Sequence, residues 1–209
     1  MIRILIADDH EIIRRGLKQI VSEQSDMTVE GEAENAPQVL DLVGRHEYDV
    51  VVLDLNMPGR SGLEALSELK QLRPKLPVLV LSVHSEDQYG VRVFKAGAAG
   101  YLTKESAPEE LVGAIRKVCR GGKYVSESLA EKLAFGLAQT ASPMHETLSD
   151  REYQVMLMIA SGKTVGQIGN ELALSVKTIS TYRARILLKM AMKSNADLTR
   201  YVIENHLLD

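Results

Sequence analysis

Short apolar runs alternate with helix-like segments along the first 120 residues, and this alternation restricts the fold more than any other feature. The strong runs lie at 2–7, 49–53 and 77–81, and weaker ones lie at 28–33 and 100–102. Runs so rich in Val, Ile and Leu are typical of parallel strands that are covered on both faces. Leucines recur at helical spacing between the runs. The pattern predicts an α/β domain with five strands and five helices.

The rest of the chain shows no strand alternation and predicts a second, all-α domain. Leu129, Leu133 and Leu137 recur every four residues, which predicts a short linker helix before a flexible joint at 139–143. We place the domain limits as follows: a first domain at 1–122, a linker at 123–145 and a helical domain at 146–209.

Two helix starts carry a capping pattern, in which an acid follows a serine by three residues. Ser106 precedes Glu109, and Ser149 precedes Glu152. The serine hydroxyl and the acid can each accept a backbone N–H of the first turn. Both patterns predict where a helix begins. Gly90 is an oddity inside the fourth predicted helix, where it costs about 1 kcal/mol relative to Ala; a tight packing contact and a marginal helix that rearranges are both open.

Composition excludes several protein classes. Hydrophobic residues make up 45% and charged residues 25% of the chain, as in globular proteins, and the single cysteine, Cys119, cannot form an internal disulfide. The longest stretch without a charged residue, 133–145, has thirteen residues, whereas a membrane span needs about 20 apolar ones. The N-terminus does not resemble a signal peptide. We expect a cytoplasmic protein without membrane contact.

Charge is distributed unevenly along the chain. The total is -3, but residues 1–122 carry -4 and residues 143–209 carry +1. The segment 172–196 contains five basic residues and no acid. A local basic cluster of this kind indicates a surface for an anionic partner such as DNA.

Three acids follow predicted strands: Asp8 and Asp9 after the first, and Asp54 after the third. Parallel strands end at one edge of a sheet, where ligands bind, so these carboxylates are expected to converge. Their mutual repulsion favours a bound divalent cation, and oxygen ligands suit Mg²⁺. A carboxylate beside Mg²⁺ can also attack a phosphoryl donor and form an aspartyl phosphate.

Two further residues extend this pattern, Ser82 after the fourth strand and Lys104 after the fifth. The ammonium group of Lys104 could pair with phosphoryl oxygens. Taken singly, each of these residues is better explained as a solvated loop residue, and Asp8 or Asp9 could cap the helix that follows. Only the combination indicates a phosphoacceptor site.

The combination resembles the receiver domain of two-component response regulators, a flavodoxin-like (βα)5 fold. The matching motifs are Asp8-Asp9, Leu53 to Gly59, Leu81-Ser82 and Ala96 to Lys104. The resemblance implies roles for seven residues: Asp54 as phosphoacceptor, Asp8, Asp9, Asp54 and the Asn56 main chain as Mg²⁺ ligands, Ser82 and Tyr101 as switch residues, and Lys104 as the phosphate-pairing lysine.

The helical domain predicts a helix, a short turn and a second helix over 164–190. Val165, Ile168 and Leu172 form one apolar stripe; Val176, Ile179, Ile186, Leu187 and Met190 form another. One face of the second helix is then left free, with basic and hydroxyl side chains suited to phosphates and base edges. A solvated basic helix explains this face about equally well.

The domain resembles the LuxR-type helix-turn-helix of the NarL/FixJ response regulators. The match includes Leu148 to Glu152, Leu174 to Tyr182 and Lys189-Met190, while Gly166 and Gly169 depart from the family pattern. The resemblance implies that Ser180, Thr181 and Ala184 face bases in the major groove, and that Lys177, Tyr182, Arg183 and Arg185 contact the DNA backbone.

The last predicted helix presents Leu198, Tyr201 and Val202, which core packing explains most simply. The resemblance adds that this helix pairs two DNA-binding domains over promoter half-sites about one helical turn apart. It also implies a sensor histidine kinase as phosphoryl donor, double-stranded DNA as ligand, a homodimer when phosphorylated, and RNA polymerase as a further partner. We therefore expect a transcription regulator that is not an enzyme, beyond promoting its own phosphorylation and dephosphorylation.

Two other functions stay open at this point. The first is a Mg²⁺ phosphatase or phosphotransferase that works through an aspartyl phosphate; against it, the residue two positions after Asp54 is Asn56 rather than an acid. The second is a regulator independent of phosphorylation, in which the first domain dimerises and the helices bind a protein. In that case Asp54→Asn would leave function unchanged.

Overall fold

The computed structural model describes residues 1–57, 62–138 and 143–208. The chain divides into two compact units, Met1–Lys132 and Leu133–Asp209. The domain limits at 122 and 146 stay predictions, because these units group residues by spatial contact alone. Of the predicted joint at 139–143, residues 139–142 lie outside the described residues.

The first unit contains a five-stranded parallel sheet in the order β2-β1-β3-β4-β5. This confirms the predicted flavodoxin-like (βα)5 arrangement, including the two weaker strands. The strands are β1 (Ile2–Ala7), β2 (Met27–Ala33), β3 (Val50–Asp54), β4 (Val78–Ser82) and β5 (Gly100–Thr103).

Four helices connect the strands, a fifth follows β5, and together they cover the sheet. Every residue of β3 and β4 is buried, which explains why these runs contain no polar alternation. The helices are α1 (Glu11–Ser22), α2 (Ala36–Arg45), α3 (Gly62–Leu72), α4 (Glu86–Lys95) and α5 (Ala107–Cys119). One hydrophobic cluster of the core lies between the strands and helices α1 and α5, the first and last helices of the βα series.

The second unit is all-α, as predicted. A linker helix, α6 (Glu127–Ala138), crosses the division between the two units along the chain, and the next described element is a 3-10 turn at Met144–Thr147. Helix α7 packs against both α9 and α10, and α8 packs on α9. The helices are α7 (Asp150–Ala160), α8 (Val165–Glu171), α9 (Val176–Lys189) and α10 (Asn195–Glu204).

The two predicted capping patterns have different outcomes. Ser149 and Glu152 form a complete capping box at the start of α7, which confirms that prediction. At Ser106 the predicted helix start is confirmed, because α5 begins at Ala107, but the predicted cap does not form. The Ser106 backbone is helical rather than extended, and its hydroxyl donates to Thr103 O at 3.4 Å instead. Glu109 therefore completes no box.

The first residues after α5 complete the edge of the sheet. Tyr124 forms a parallel bridge with Gly100 of the outer strand β5. Its backbone N–H donates to Ala99 O at 2.9 Å, and its carbonyl accepts from Tyr101 N at 3.1 Å. The Tyr124 hydroxyl donates to Glu110 of α5 at 2.7 Å. This segment is therefore attached to β5 and to α5 before α6 begins.

Gly90 of α4 is a packing contact with α6. A Cβ at Gly90 would lie 2.6 Å from Leu129 Cδ2, and Leu129 is fully buried. The hydroxyl of Ser126, the residue before α6, donates to the carboxylate of Glu86, which lies one turn before Gly90 on α4. The absent side chain thus makes room for Leu129, so of the two explanations for Gly90, close packing is the one the structure supports.

No helix in the parts of the chain that the structure describes combines the length and the apolar content needed to cross a membrane.

We predict that Gly90→Ala destabilises the first unit by about 1–3 kcal/mol, because the added methyl group would overpack Leu129. Gly113 of α5 is a matched control: an added Cβ there meets no heavy atom within 4 Å. Gly113→Ala should therefore stabilise the unit by about 0.5–1 kcal/mol. Urea unfolding measures both. If both substitutions stabilise the unit equally, the packing explanation is contradicted. It is also contradicted if Gly90→Ala lowers the free energy of unfolding as much in a Leu129→Ala background as in the wild type.

Candidate functional site

Strand register brings three predicted site residues to one edge of the sheet. Ala7 of β1 pairs with Leu53 of β3, and Asp54 pairs with Leu81 of β4, so the residues at or just beyond these strand ends are neighbours. The three residues are Asp8, Asp54 and Ser82, which are at most 1% exposed. The parallel sheet therefore assembles the predicted site from separate parts of the sequence.

Lys104 joins two of the carboxylates. Its Nζ lies 2.6 Å from Asp8 Oδ2 and 2.9 Å from Asp54 Oδ2. Lys104 directly follows β5, and its backbone N–H donates to Ser82 O of the neighbouring strand β4 at 2.7 Å, which fixes its position. Burial would lower the pKa of Lys104, but the attraction of Asp54 and Asp8 outweighs burial and raises it. Lys104 is therefore a firmly charged ammonium group at the base of the acidic cluster.

Asp54 itself is held in an unfavourable environment for a carboxylate. Burial and, to a smaller extent, the nearby Asp8 raise the pKa of its carboxyl group, and together they outweigh the opposing influence of Lys104. The Asn56 N–H donates to Asp54 Oδ1 at 3.1 Å and provides partial compensation. The charge on Asp54 is therefore only partly balanced by the protein.

The residues present fit a hard divalent cation. Ligand atoms of Asp8, Asp9, His10 and Asp54 all lie within 4.8 Å of one another. Asp9 Oδ1 is buried and lies 3.0 Å from His10 Nδ1, but it accepts no hydrogen bond of good geometry from the described residues. A cation could satisfy such an oxygen. Carboxylate oxygens suit Mg²⁺, whereas the His10 nitrogen does not. The Asn56 carbonyl stays a predicted ligand.

The two predicted switch residues meet the same loop, which follows β4. Ser82 Oγ accepts from His84 N at 3.1 Å. The buried Tyr101 donates from its hydroxyl to His84 O at 2.8 Å and to Ser85 O at 3.3 Å. Ser82 and Tyr101 are therefore linked through the backbone of His84, a connection that no side-chain motif in the sequence indicates.

Sequence reasoning missed Arg14, which is 6% exposed and donates to Asp8 O. One signal was available. Arg14 lies three and seven positions before Leu17 and Val21, on the buried face of α1, where a charged residue needs a specific partner.

The predicted DNA-contacting residues lie on α9, mostly on its exposed side. Arg183 and Tyr182 are half-buried, and Arg183 Nε donates to Asn195 Oδ1 of α10 at 2.6 Å. The side chains of the others are free of the core: Lys177, Ser180, Thr181, Ala184 and Arg185 are exposed. The geometry thus provides one basic and hydroxyl-rich helix face, and the individual contacts stay predictions.

The turn before α9 depends on close backbone packing. Ala173 adopts a left-handed φ of 53°, and the chain then enters α9 with Ser175 as N-cap. A Cβ at Gly169 of α8 would lie 2.8 Å from Leu174 O, whereas one at Gly166 would meet nothing within 4 Å. Of the two departures from the family pattern, only Gly169 has a packing reason.

Val176, predicted in the buried stripe, is 53% exposed because it is the first residue of α9.

The prediction for α10 needs one correction. Leu198 and Val202 have 0% exposure and belong to the core of their own unit, so they cannot contact a second molecule directly. Tyr201 is half-buried, and its hydroxyl lies 3.0 Å from His145 Nδ1. The exposed apolar side chain on this helix is Ile203, at 61%. Pairing through α10 stays a prediction.

Two family models match the chain. Residues 4–116 match the response regulator receiver domain, and residues 146–202 match the bacterial regulatory proteins of the luxR family. Together these matches cover most of the sheet unit and of the helical unit.

Known response regulators resemble the chain along its whole length. Response regulator GacA of Pseudomonas aeruginosa is 39% identical over 212 residues, which is 100% of this chain and 99% of that protein. Response regulator UvrY of Escherichia coli K12 is 37% identical, over 99% of this chain and 96% of that protein. RcsB of Salmonella enterica serovar Typhimurium, solved bound to promoter rprA with the phosphomimetic BeF3-, has a TM-score of 0.66, 25% identity, and covers 97% of this chain and 98% of its own.

We predict that Asp54→Asn raises the thermal stability of the protein at neutral pH when Mg²⁺ is absent. Folding raises the pKa of the Asp54 carboxyl, so the ionised group destabilises the folded state at pH values above that raised pKa. This penalty disappears as the pH falls below the ordinary aspartate value of about 3.9. Added Mg²⁺ should stabilise the wild type more than the variant. The exposed Asp41, paired with Arg45, provides the control Asp41→Asn; equal effects of both substitutions would contradict the argument.

Proposed function

Because this chain belongs to the NarL/FixJ response regulators, which join a receiver domain to a LuxR-type DNA-binding domain, we propose that Asp54 accepts a phosphoryl group from a sensor histidine kinase and thereby controls DNA binding. The observation that carries this proposal is the buried Asp54 carboxylate, which lies 2.9 Å from Lys104 Nζ within an acidic cluster. The chain is thus a regulator of transcription, and we place it in the cytoplasm, where both the kinase domain and promoter DNA are accessible.

The phosphoryl transfer is a displacement at phosphorus. An oxygen of Asp54 forms the new P–O bond, the P–N bond to the kinase histidine breaks, and its electron pair stays on that nitrogen. Mg²⁺, held by Asp8, Asp9, Asp54 and the Asn56 carbonyl, would offset the negative charge of the group in transfer. Lys104 is already adjacent to Asp54 and can pair with a phosphoryl oxygen without moving far.

The added charge gives the switch residues a reason to move. A phosphoryl group brings about -1.5 to -2 charges and three strong acceptors. The Ser82 hydroxyl, which now accepts from His84 N, can donate to a phosphoryl oxygen. The loop at His84 would then shift, and with it the acceptors of the Tyr101 hydroxyl. We propose that this loop transmits the state of Asp54 to α4 and β5, and so to interdomain contact and dimerisation.

The DNA ligand is double-stranded promoter DNA with two half-sites. Helix α9 supplies one exposed basic face per chain, and two-fold pairing of chains, through α10 in the helical domain, would place two such helices about one helical turn apart. We propose a homodimer in the phosphorylated state. RNA polymerase is a further partner in regulating transcription.

We propose no turnover of an outside substrate. The chain would catalyse only its own phosphorylation and dephosphorylation, because Asn56 replaces the acid that a phosphatase of this type uses to protonate its leaving group. Steady hydrolysis of a generic phosphate ester would contradict this proposal.

The proposal is tested by selecting genomic fragments with the full-length protein in Mg²⁺ alone and in Mg²⁺ with beryllofluoride, which mimics the phosphoryl group on Asp54. We expect beryllofluoride to strengthen binding to a shared half-repeat, and Asp54→Asn to abolish this effect while basal binding remains. Asp41→Asn should respond as the wild type does. Specific binding that is indifferent to beryllofluoride would indicate a regulator independent of phosphorylation, and absence of selective binding would indicate a protein-docking helical unit.

We predict that Arg183→Ala weakens binding to all DNA sequences and lowers the salt slope of binding by about one, because a phosphate contact releases about one counterion. Arg200 is a matched control, as an exposed arginine on α10 that lies near Asp197. Binding is measured over a series of salt concentrations. An unchanged slope for Arg183→Ala, or an equal change for Arg200→Ala, would remove Arg183 from the phosphate contacts.

A further inference from the structure

Arg14 of α1 is a buried cation that the proposed chemistry does not use. Its side chain is 7% exposed, and it lies on the helix face that contacts the sheet, together with Leu17 and Val21. A buried guanidinium group is costly unless its donors are paired, so its partners indicate what its position requires.

The guanidinium group links the ends of two neighbouring strands. Its Nη1 donates to the main-chain oxygen of Asp8 at 2.7 Å, just beyond β1. Its Nη2 donates to Glu34 Oε1 at 2.7 Å, just beyond β2, and Nε lies 3.6 Å from Glu32 Oε2. The donors of an arginine are fixed in one plane, so two such bonds define both distance and orientation.

The contact with Asp8 O controls the peptide that precedes Asp9. The Asp8 carbonyl and the Asp9 nitrogen belong to one planar unit, so fixing that oxygen fixes the direction in which the chain enters Asp9. The other groups of Asp8 are held elsewhere: its N–H donates to Ala33 O, Oδ1 accepts from His10 N, and Oδ2 lies beside Lys104. Arg14 is thus the group that holds the Asp8–Asp9 peptide.

We infer that Arg14 is a positioning residue for the divalent cation, which holds the main chain at Asp8 so that the carboxylates of Asp8 and Asp9 form one preorganised site. This inference rests on the proposed function, because it concerns the same cluster. Groups that orient metal ligands without touching the metal typically change metal affinity by about 10–100-fold when they are removed.

Calorimetric titration of the full-length protein with Mg²⁺ tests the inference. Arg14→Met keeps an apolar stem but removes both donors, and we expect the Kd for Mg²⁺ to rise by about 10–100-fold. Arg14→Lys keeps the charge but can reach only one of the two acceptors, so its Kd for Mg²⁺ should lie between those of the wild type and Arg14→Met. Arg15→Met is the matched control, because Arg15 is exposed and pairs only with Glu11 one turn away among the described residues; its Kd should equal that of the wild type.

A second readout separates positioning from general structure. We expect self-phosphorylation of Arg14→Met by acetyl phosphate to need more Mg²⁺ for half-maximal rate, and to recover at saturating Mg²⁺. A merely structural role would lower thermal stability without moving this midpoint. If Arg14→Met does not fold, Glu34→Ala serves instead, because it keeps the guanidinium group but removes the acceptor that orients Nη2; we expect a smaller rise in Kd.

The outcomes for the inference and for the proposed function are distinct. If the wild type binds no Mg²⁺, or Asp9→Asn leaves Mg²⁺ binding unchanged, the proposed cation site itself is wrong. If Asp9→Asn abolishes binding but the folded Arg14 variants, or Glu34→Ala, bind Mg²⁺ as the wild type does, only the inference on Arg14 is overturned.

Discussion

The attraction between the Lys104 ammonium group and two buried carboxylates is the interaction on which the receiver site depends. The sheet brings Asp8 and Asp54 to one edge, and without a cation their repulsion would oppose folding. Lys104 offsets the cost of burial and this repulsion only in part, because the pKa of Asp54 remains raised. The site can thus form, but its negative charge is not fully balanced. This imbalance favours the binding of a divalent cation. Lys104 can in addition pair with the negative charge of a phosphoryl group.

Much of the fold could be predicted because the relevant signals are local. Strands dense in Val, Ile and Leu determine their own positions, and the parallel order then brings Asp8, Asp54 and Ser82 together. The features that escaped prediction depend on contacts between distant segments. Whether Gly90 weakens a helix or accommodates Leu129 cannot be decided from either segment alone, nor can the carbonyl that Arg14 binds. Burial of Leu198 and Val202, by contrast, agrees with the core packing that the sequence favours for them.

The helical unit is stabilised at its helix ends as well as in its core. Short helices are marginal by themselves, and here α7, α8 and α10 each begin with a complete capping box. In α7 the box includes Glu152, which is 3% exposed and whose carboxylate also binds Lys189 of α9 at 2.6 Å. One carboxylate therefore fixes both the start of α7 and the end of α9. A basic face is rigid only if the helix that carries it is anchored, and this pair supplies one such anchor.

Tyr124 gives the start of the linker a role in solubility as well as in connection. Strand β5 is an outer strand, and unpaired backbone groups on such an edge are templates for association with another chain. Tyr124 occupies the Ala99 carbonyl and the Tyr101 N–H on that edge. A fragment that ended at residue 122 would leave both groups unpaired, and would present for self-association two edge positions that Tyr124 occupies in the full chain.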